Sequence, residues 1–235
     1  MAERALNEKP TGDGRRSDRV AAGLPLGERL RQERHQQGLG LRELARRLDV
    51  SPSLVSQIET GRAQPSVRTL YAMVSELGIS LDAVFSDAPR RHSALPTERA
   101  RDGVEAADAE SEATRPSGLV QRAHDRRGIE LESGVRWERL TTWNDPDVDF
   151  LYAVYEAGGA SSTDGARVRH NGREFGIVLS GRLNVDVGFD ECVLEPGDSI
   201  SFDSSVPHRL HNDEDEVVHA IWLVIGRHRQ QATDS

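Results

Sequence analysis

The sequence has almost no cysteine, almost no lysine and no long apolar run. A single thiol, Cys192, excludes an internal disulfide and a thiolate metal cluster, so no oxidising compartment is implied. Flanked by Glu191 and Val193, that cysteine is expected to be a packing residue on a strand rather than a redox sensor. No stretch approaches the roughly 18 apolar residues of a membrane span, and the Arg-containing start lacks the apolar centre of a signal peptide. A cytoplasmic, nucleoid-associated protein with no membrane contact is expected. Lysine occurs once, at Lys9, so arginine carries nearly all of the positive charge.

What remains is 235 residues with a formal net charge of -9, enough chain for two domains of ordinary size. An acidic total argues against nucleic-acid binding until it is divided. Residues 24 to 72 hold eight arginines against five acids, whereas residues 119 to 235 hold twelve arginines against twenty-one acids. The basic excess is local. Over one face it suffices for phosphate attraction, while an acidic remainder limits nonspecific adhesion to DNA.

The basic region contains LGLRELARRLDVSPSLVSQIETG, from Leu39 to Gly61. Leu41, Leu44, Ala45 and Leu48 fall at i, i+3, i+4 and i+7 and predict one buried helix face. A second helix starts with Ser51 as N-cap and Pro52 at its first position, and Gly61 ends it. On that helix Leu54, Val55 and Ile58 share one side, while Ser53, Ser56, Gln57 and Thr60 share another. An oily side to dock and a hydroxyl-and-amide side left free suit a helix-turn-helix made for the major groove. Around it, helices are predicted from Leu26 to Gln37, and from the Ser66 cap along the stripe Val67, Leu70, Tyr71, Val74 and Leu77. A short turn from the Ser80 cap to Phe85 completes the set.

Residues 24 to 85 resemble the lambda-repressor-like, or XRE-type, DNA-binding domain, through G-L-x-L-R-E-L-A, L-x-V-S-x-x-x-V-S-x-I-E-x-G and P-S-x-x-T-L from Pro65. Gly40 departs from the family's usual Ser or Thr cap, and Leu41 from a frequent phosphate-contacting Gln. The resemblance implies a five-helix all-α domain on double-stranded DNA. Ser53, Ser56 and Gln57 are the candidates for base edges, with Gln57 suited to a bidentate contact with adenine. Thr60, Arg62 and Arg68 are the candidates for phosphates. One such helix reads few bases, so a homodimer on paired half-sites is expected, joined through the second domain.

Residues 1 to 23 lack apolar periodicity and are expected to be a tail, whose Arg15, Arg16 and Arg19 are either solvated or a DNA-touching arm. Residues 86 to 118 carry almost no large apolar side chains and are expected to be a flexible linker. From 119 to 228 the pattern alternates with period two, as in FLYAVYEA, FGIVLSG and LNVDVG, which predicts an antiparallel all-β sandwich or barrel. Residues 229 to 235 are expected to be a second tail.

Two segments carry the chemistry of this second domain: His170-Asn-Gly-Arg-Glu174 with Gly181, and Pro196-Gly-Asp with Pro207-His208 and Asn212. Together they resemble the two motifs of the cupin superfamily, a jelly-roll (double-stranded β-helix) barrel, although Val168 stands where the first histidine of the usual H-x-H would be. The resemblance places His170, Glu174 and His208 at three of four metal-ligand positions. Two imidazoles and a carboxylate with open positions suit Fe(II), with Zn and Mn as further candidates. The same three residues equally suit a metal-free polar pocket for a small organic effector. Arg173 and Arg209 are candidates to bind a carboxylate there, and Tyr152, Tyr155 and Phe175 to supply apolar wall. His211 and His219 are expected to be structural.

Two functional readings follow. The first is a sequence-specific transcriptional regulator, not an enzyme, whose barrel senses a small molecule. The second is a mononuclear non-haem iron oxygenase resembling hydroxypropylphosphonate epoxidase, which pairs the same two domain types and shares the H-x3-E spacing of His170 and Glu174.

Overall fold

The computed structural model describes residues 24–85, 90–91, 118–143 and 145–226. The expected tails at 1–23 and 229–235 lie outside the described residues, as does the segment 86–117 apart from Arg90 and Arg91. Among the described residues no helix is long and apolar enough to cross a membrane.

Five helices form the N-terminal unit: α1 (Leu26–Gln36), α2 (Leu41–Arg47), α3 (Pro52–Glu59), α4 (Val67–Glu76) and α5 (Leu81–Phe85). The predicted caps are in place. Ser51 Oγ accepts from the Leu54 amide at 3.1 Å, Ser66 Oγ from Thr69 at 3.2 Å and Ser80 Oγ from Ala83 at 3.1 Å. Gly40 gives α2 no side-chain cap. The tight turn between α2 and α3 places Asp49 at φ +55, a left-handed conformation that Asp tolerates better than bulkier residues. Gly61, at φ +68, ends α3 as expected. Leu30, Leu44, Val55, Ile58, Leu70 and Val74 close the core.

Beneath that core lies a buried ion pair that the sequence pattern did not reveal. Arg34 of α1 forks onto Glu59 of α3, with Nε to Oε1 at 2.6 Å and Nη2 to Oε2 at 2.8 Å. Its Nη1 donates to the Leu39 carbonyl at 2.8 Å, so one guanidinium ties α1, α3 and the loop before α2.

The second unit is antiparallel throughout. Strands β1 (Arg90–Arg91), β2 (Arg126–Leu131), β3 (Val135–Arg139), β4 (Val148–Tyr155), β5 (Arg173–Ser180), β8 (Ser199–Asp203) and β10 (Val218–Ile225) form one sheet in the order β1-β2-β3-β4-β10-β5-β8. Strands β6 (Leu183–Val187), β7 (Asp190–Leu194) and β9 (His208–His211) form the other, in the order β7-β6-β9. Arg90 and Arg91 fall in the segment expected to be a linker, yet they pair with Arg127 and Arg126 of β2. Alternation sets the faces. On β10, Val218, Ala220, Trp222 and Val224 point to the interior and are buried, while the intervening residues point outward.

Two motif residues prove architectural. Asn212 is fully buried, its Nδ2 donating to the carbonyls of Tyr155, Glu156 and Glu216 and its Oδ1 accepting from the Glu214 amide, which locks a corner of the barrel. Gly181 takes φ +73 where a Cβ would sit 2.7 Å from the Val217 carbonyl oxygen. Cys192 does lie on a strand but is exposed, which corrects the expectation of a packing residue. Partial burial of its sulfur against the Val185 carbonyl, together with Asp186 and Asp190, pushes its thiol pKa up, away from reactive-thiolate behaviour.

The two units touch. The Arg68 amide of α4 donates to the Ser161 carbonyl at 3.1 Å, and the Glu132 amide donates to the Pro65 carbonyl at 3.0 Å. Val67 and Tyr71 keep the burial expected of the α4 stripe, but they share a cavity wall with barrel residues, so part of that stripe covers the barrel. Replacing Arg34 with Ala should destabilise the helical unit by ~3–5 kcal/mol, because it strands Glu59 in the interior. Denaturant unfolding of the full chain measures this, and Arg34→Met combined with Glu59→Leu should recover most of the loss.

Candidate functional site

Helix α3 separates its faces as its sequence requires. Val55 and Ile58 are buried, Ser53, Gln57 and Thr60 are exposed with Arg62 just beyond, and Ser56 is half-buried. Gln57 Nε2 lies 3.4 Å from Ser53 Oγ, and Thr60 Oγ1 donates to the Ser56 carbonyl at 2.8 Å. These are neighbours on one helix, which leaves the row open to an incoming groove. Arg68 stands apart. Its Nη1 reaches Asp164 of the barrel at 2.9 Å, so this phosphate candidate sits at the joint between the units.

The barrel brings His170, Glu174 and His208 together, with ligand atoms all within 4.8 Å of one another. Glu174 lies on β5 in the inward register, His208 begins β9, and His170 sits in the turn leading into β5. His170 Nε2 is 3.0 Å and His208 Nε2 is 3.1 Å from the same oxygen, Glu174 Oε1. The second carboxylate oxygen accepts from Trp222 Nε1 at 2.6 Å. Gly176 makes that bond feasible, because a Cβ there would lie 2.0 Å from the Trp222 ring.

Backbone carbonyls set the tautomers. His170 Nδ1 lies 2.9 Å from the Asn171 carbonyl oxygen, and His208 Nδ1 lies 2.9 Å from that of Val206. A carbonyl can only accept, so each Nδ1 carries the hydrogen and each Nε2 of a neutral ring aims a lone pair at Glu174. Lone pairs do not attract a carboxylate, so a proton or a cation must stand between them. Burial alone would raise the Glu174 pKa, but the two imidazoles outweigh it and hold the carboxyl well below the usual carboxylate range. For His208 burial opposes the charged form, yet Glu174 wins and raises the pKa. The arrangement fits a divalent metal: three donors converge, both imidazoles are oriented by the bonds on their far nitrogens, and the buried His170 Nε2 and Glu174 Oε1 lack a hydrogen-bond partner.

Val168, at the position of the missing fourth donor, is buried, and its backbone pairs with His208 in both directions at 2.7 and 2.8 Å. Tyr155 faces the interior, and burial followed by the Glu174 charge raises its pKa. Four other candidates are not in this site. Phe175 is exposed on the outer face, as is Arg173 opposite Asp203, and Arg209 alternates outward beside His208. Tyr152 also belongs to the outer face, where its hydroxyl meets His219 Nδ1 at 2.9 Å and the Arg126 guanidinium lies 5.0 Å from its ring centroid. His211 pairs with Asp213 at 2.8 Å. Both of these histidines have partners within the protein and neither joins the three-donor cluster.

Tyr71, Trp137 and Trp222 line the site and were not among its sequence candidates. Inward alternation on β3 and β10 flags the two tryptophans as interior, but nothing in the pattern shows that a DNA-domain helix supplies Tyr71. The Tyr71 ring stacks on His170 with centroids 4.5 Å apart and meets Trp137 edge-on at 5.4 Å. With α4 in place the remaining cavity is about 20 Å³, room for one water and not for an organic molecule.

Residues 25–84 match the model of a helix-turn-helix domain and residues 151–225 that of a cupin domain. The HTH-type transcriptional regulator PuuR of Escherichia coli is 25% identical over 190 residues, spanning 81% of this chain and 89% of that protein. An uncharacterized transcriptional regulator in the ATPase CF(0) region of Rhodospirillum rubrum is 37% identical over 73 residues, which cover 30% of this chain and 68% of that protein. Among solved structures, an HTH_3 family transcriptional regulator from Vibrio cholerae superposes with a TM-score of 0.55 at 19% identity, over 85% of this chain and 94% of its own. That likeness establishes the shared fold.

The site's charges set a pH dependence. Glu174, with its pKa lowered, stabilises the fold above the unfolded carboxylate value of about 4.3, and that contribution is lost as pH falls through the folded value. His208, with its pKa raised, stabilises fully below about 6.5, and that contribution is lost as pH rises through the folded value. In chelator-treated protein the unfolding free energy should therefore drop from pH 6 to pH 8. Glu174→Gln should flatten that slope in denaturant titrations at the two pH values.

Proposed function

Because the chain belongs to the transcriptional regulators that join a helix-turn-helix domain to a cupin domain, we propose that it reads a DNA operator through α3 and responds to a small effector at His170, Glu174 and His208. The observation that carries this reading is the exposed polar row of α3, on a helix whose apolar side is fully engaged. Ser53, Ser56 and Gln57 address base edges, and Thr60 and Arg62 address phosphates. Arg68 joins them by exchanging Asp164 for a phosphate. Their pair is about half exposed, so it is worth little and gives way readily.

The protein acts in the cytoplasm as a homodimer. Paired half-sites one helical turn apart, about 34 Å, require two reading heads. The outer face of the large sheet supports barrel-to-barrel contact. Phe150, Leu223 and Phe175 lie side by side across β4, β10 and β5, next to Ile221 and Ile177, and Phe150, Phe175 and Ile177 remain 36–41% exposed. A contiguous apolar row of this kind marks an association surface.

A divalent ion, Fe, Zn or Mn, held by His170, Glu174 and His208 is part of the proposal, supported by the converging donors and the carbonyl-set tautomers. When bound it would supply a Lewis-acidic anchor for the effector. An iron oxygenase draws on the same donor set; the exposed polar row of α3 is the observation that favours the regulator.

Genomic footprinting of the purified protein tests the regulator reading. Gln57→Ala should relax preference at one base pair of each half-site and weaken binding by ~1–3 kcal/mol; an unchanged footprint and affinity removes Gln57 from the contact set. Phe175→Glu should shift the sedimentation coefficient from dimer to monomer and abolish retention on paired half-sites.

A further inference from the structure

We infer that Tyr71, a residue of the DNA-binding unit, is the lid of the barrel's site, and that any occupant larger than a metal ion must eject it and undock the helical unit. The inference rests on the reading of the barrel as the effector site and says how that site is regulated. Three observations carry it. Tyr71 is only 6% exposed although it projects from a surface helix of its own unit, because the barrel buries it. Its ring covers the face of His170 in a stacked contact at 4.5 Å, abuts Trp137 at 5.4 Å and lines the same cavity as Glu174 and His208. With Val67 and Tyr71 in its wall, the cavity measures about 20 Å³. One atom-sized guest fits under the lid, and an organic ring or chain does not.

Besides Tyr71, the joint includes the half-exposed Arg68–Asp164 pair, the two backbone hydrogen bonds, Arg68 to Ser161 and Glu132 to Pro65, and the packing of α5 against β2. The exposed pair contributes little, so docking rests on apolar burial, and at the site itself that burial is the Tyr71 stack. An effector that takes the place of Tyr71 therefore competes with docking directly. Linkage makes this reciprocal: whatever holds α4 on the barrel weakens the effector, and whatever fills the barrel frees α4. Helix α3 leaves its polar row clear in the docked form, so docking fixes the orientation of the reading head without hiding it. Undocking turns an oriented pair of heads in the dimer into loosely tethered ones, which lowers their effective concentration on paired half-sites.

The test uses the full chain in a Cys192→Ser background, with spin labels at Gln36→Cys on α1 and Glu191→Cys on β7, and electron–electron distance measurement. Zn²⁺ alone should leave one narrow distance distribution. Imidazole added to the Zn²⁺-loaded protein, as a guest too large for the closed cavity, should broaden and lengthen it. Tyr71→Ala should be broad without any guest and should bind imidazole about tenfold more tightly, read from the absorption bands of Co²⁺-loaded protein, because closed molecules no longer deplete the competent form. Tyr71→Phe, which keeps the stack, should stay narrow, as should Asp164→Asn, which removes only the exposed pair. Far-UV circular dichroism confirms that each variant is folded. A narrow distribution that persists with imidazole bound overturns the inference, as does a Tyr71→Ala protein that matches wild type in both distance and imidazole affinity, or a failure of imidazole to bind either protein. Retention of genomic DNA by the same sample is scored separately. Selective retention with a lid that never opens sinks the lid alone, and opening without selective retention sinks the regulator reading alone.

Discussion

A carboxylate taken out of water has to be compensated, and Glu174 shows how completely this barrel is arranged around that requirement. One oxygen receives the Trp222 indole, the other faces two imidazoles, and both imidazoles are oriented from behind by backbone carbonyls. An isolated buried carboxylate would raise its pKa and neutralise. Here the surroundings hold it ionised, which leaves a permanent negative centre that one proton or one metal ion can satisfy. Strand register does the positioning: Glu174 pairs between Val224 and Phe202, and Trp222 pairs opposite Gly176, the one inward position on β5 with no side chain to obstruct the ring.

The helical unit meets the same kind of constraint differently. Arg34 and Glu59 bury opposite charges against each other with bidentate geometry and use the leftover donor on the Leu39 carbonyl. That clamp fixes α1 relative to α3, so the reading helix is presented from a rigid base. The contact between the units adds one stacked aromatic, a few hydrogen bonds and the packing of α5 against β2. Because part of that contact lines the cavity beside Glu174 and His208, a small molecule there can bias docking.

Much of this was legible from residue order. Ser51, Pro52 and Gly61 bracket α3 because capping chemistry is local, and the Leu54, Val55 and Ile58 side is visible from the helical period alone. The metal-type cluster was legible through motif spacing, although nothing in the spacing shows that two Nε2 atoms converge on one oxygen. What escaped depends on contacts between distant parts of the chain. Period-two alternation leaves open which strand face turns inward, so Phe175, Arg173, Arg209 and Tyr152 read as pocket candidates until pairing settled the register. Val67 and Tyr71 satisfy a helical stripe and read as helical core, since burial against a second domain leaves the same mark as burial against one's own. Arg34 and Glu59 are twenty-five residues apart and look like ordinary surface charges on amphipathic helices.

The seating of α4 on the barrel, with α3 left out of the joint, gives the molecule an electrical polarity. Residues 24 to 85 carry one more arginine than acids, and residues 119 to 235 carry nine more acids than arginines, so a nearly neutral, arginine-bearing head is mounted on an anionic body. Beside a polyanionic duplex such a body feels a torque as well as an attraction: it swings the arginine-rich end forward and keeps the acidic end outward before any base is read. The joint thus aims the protein during its approach, a task that neither half could perform alone.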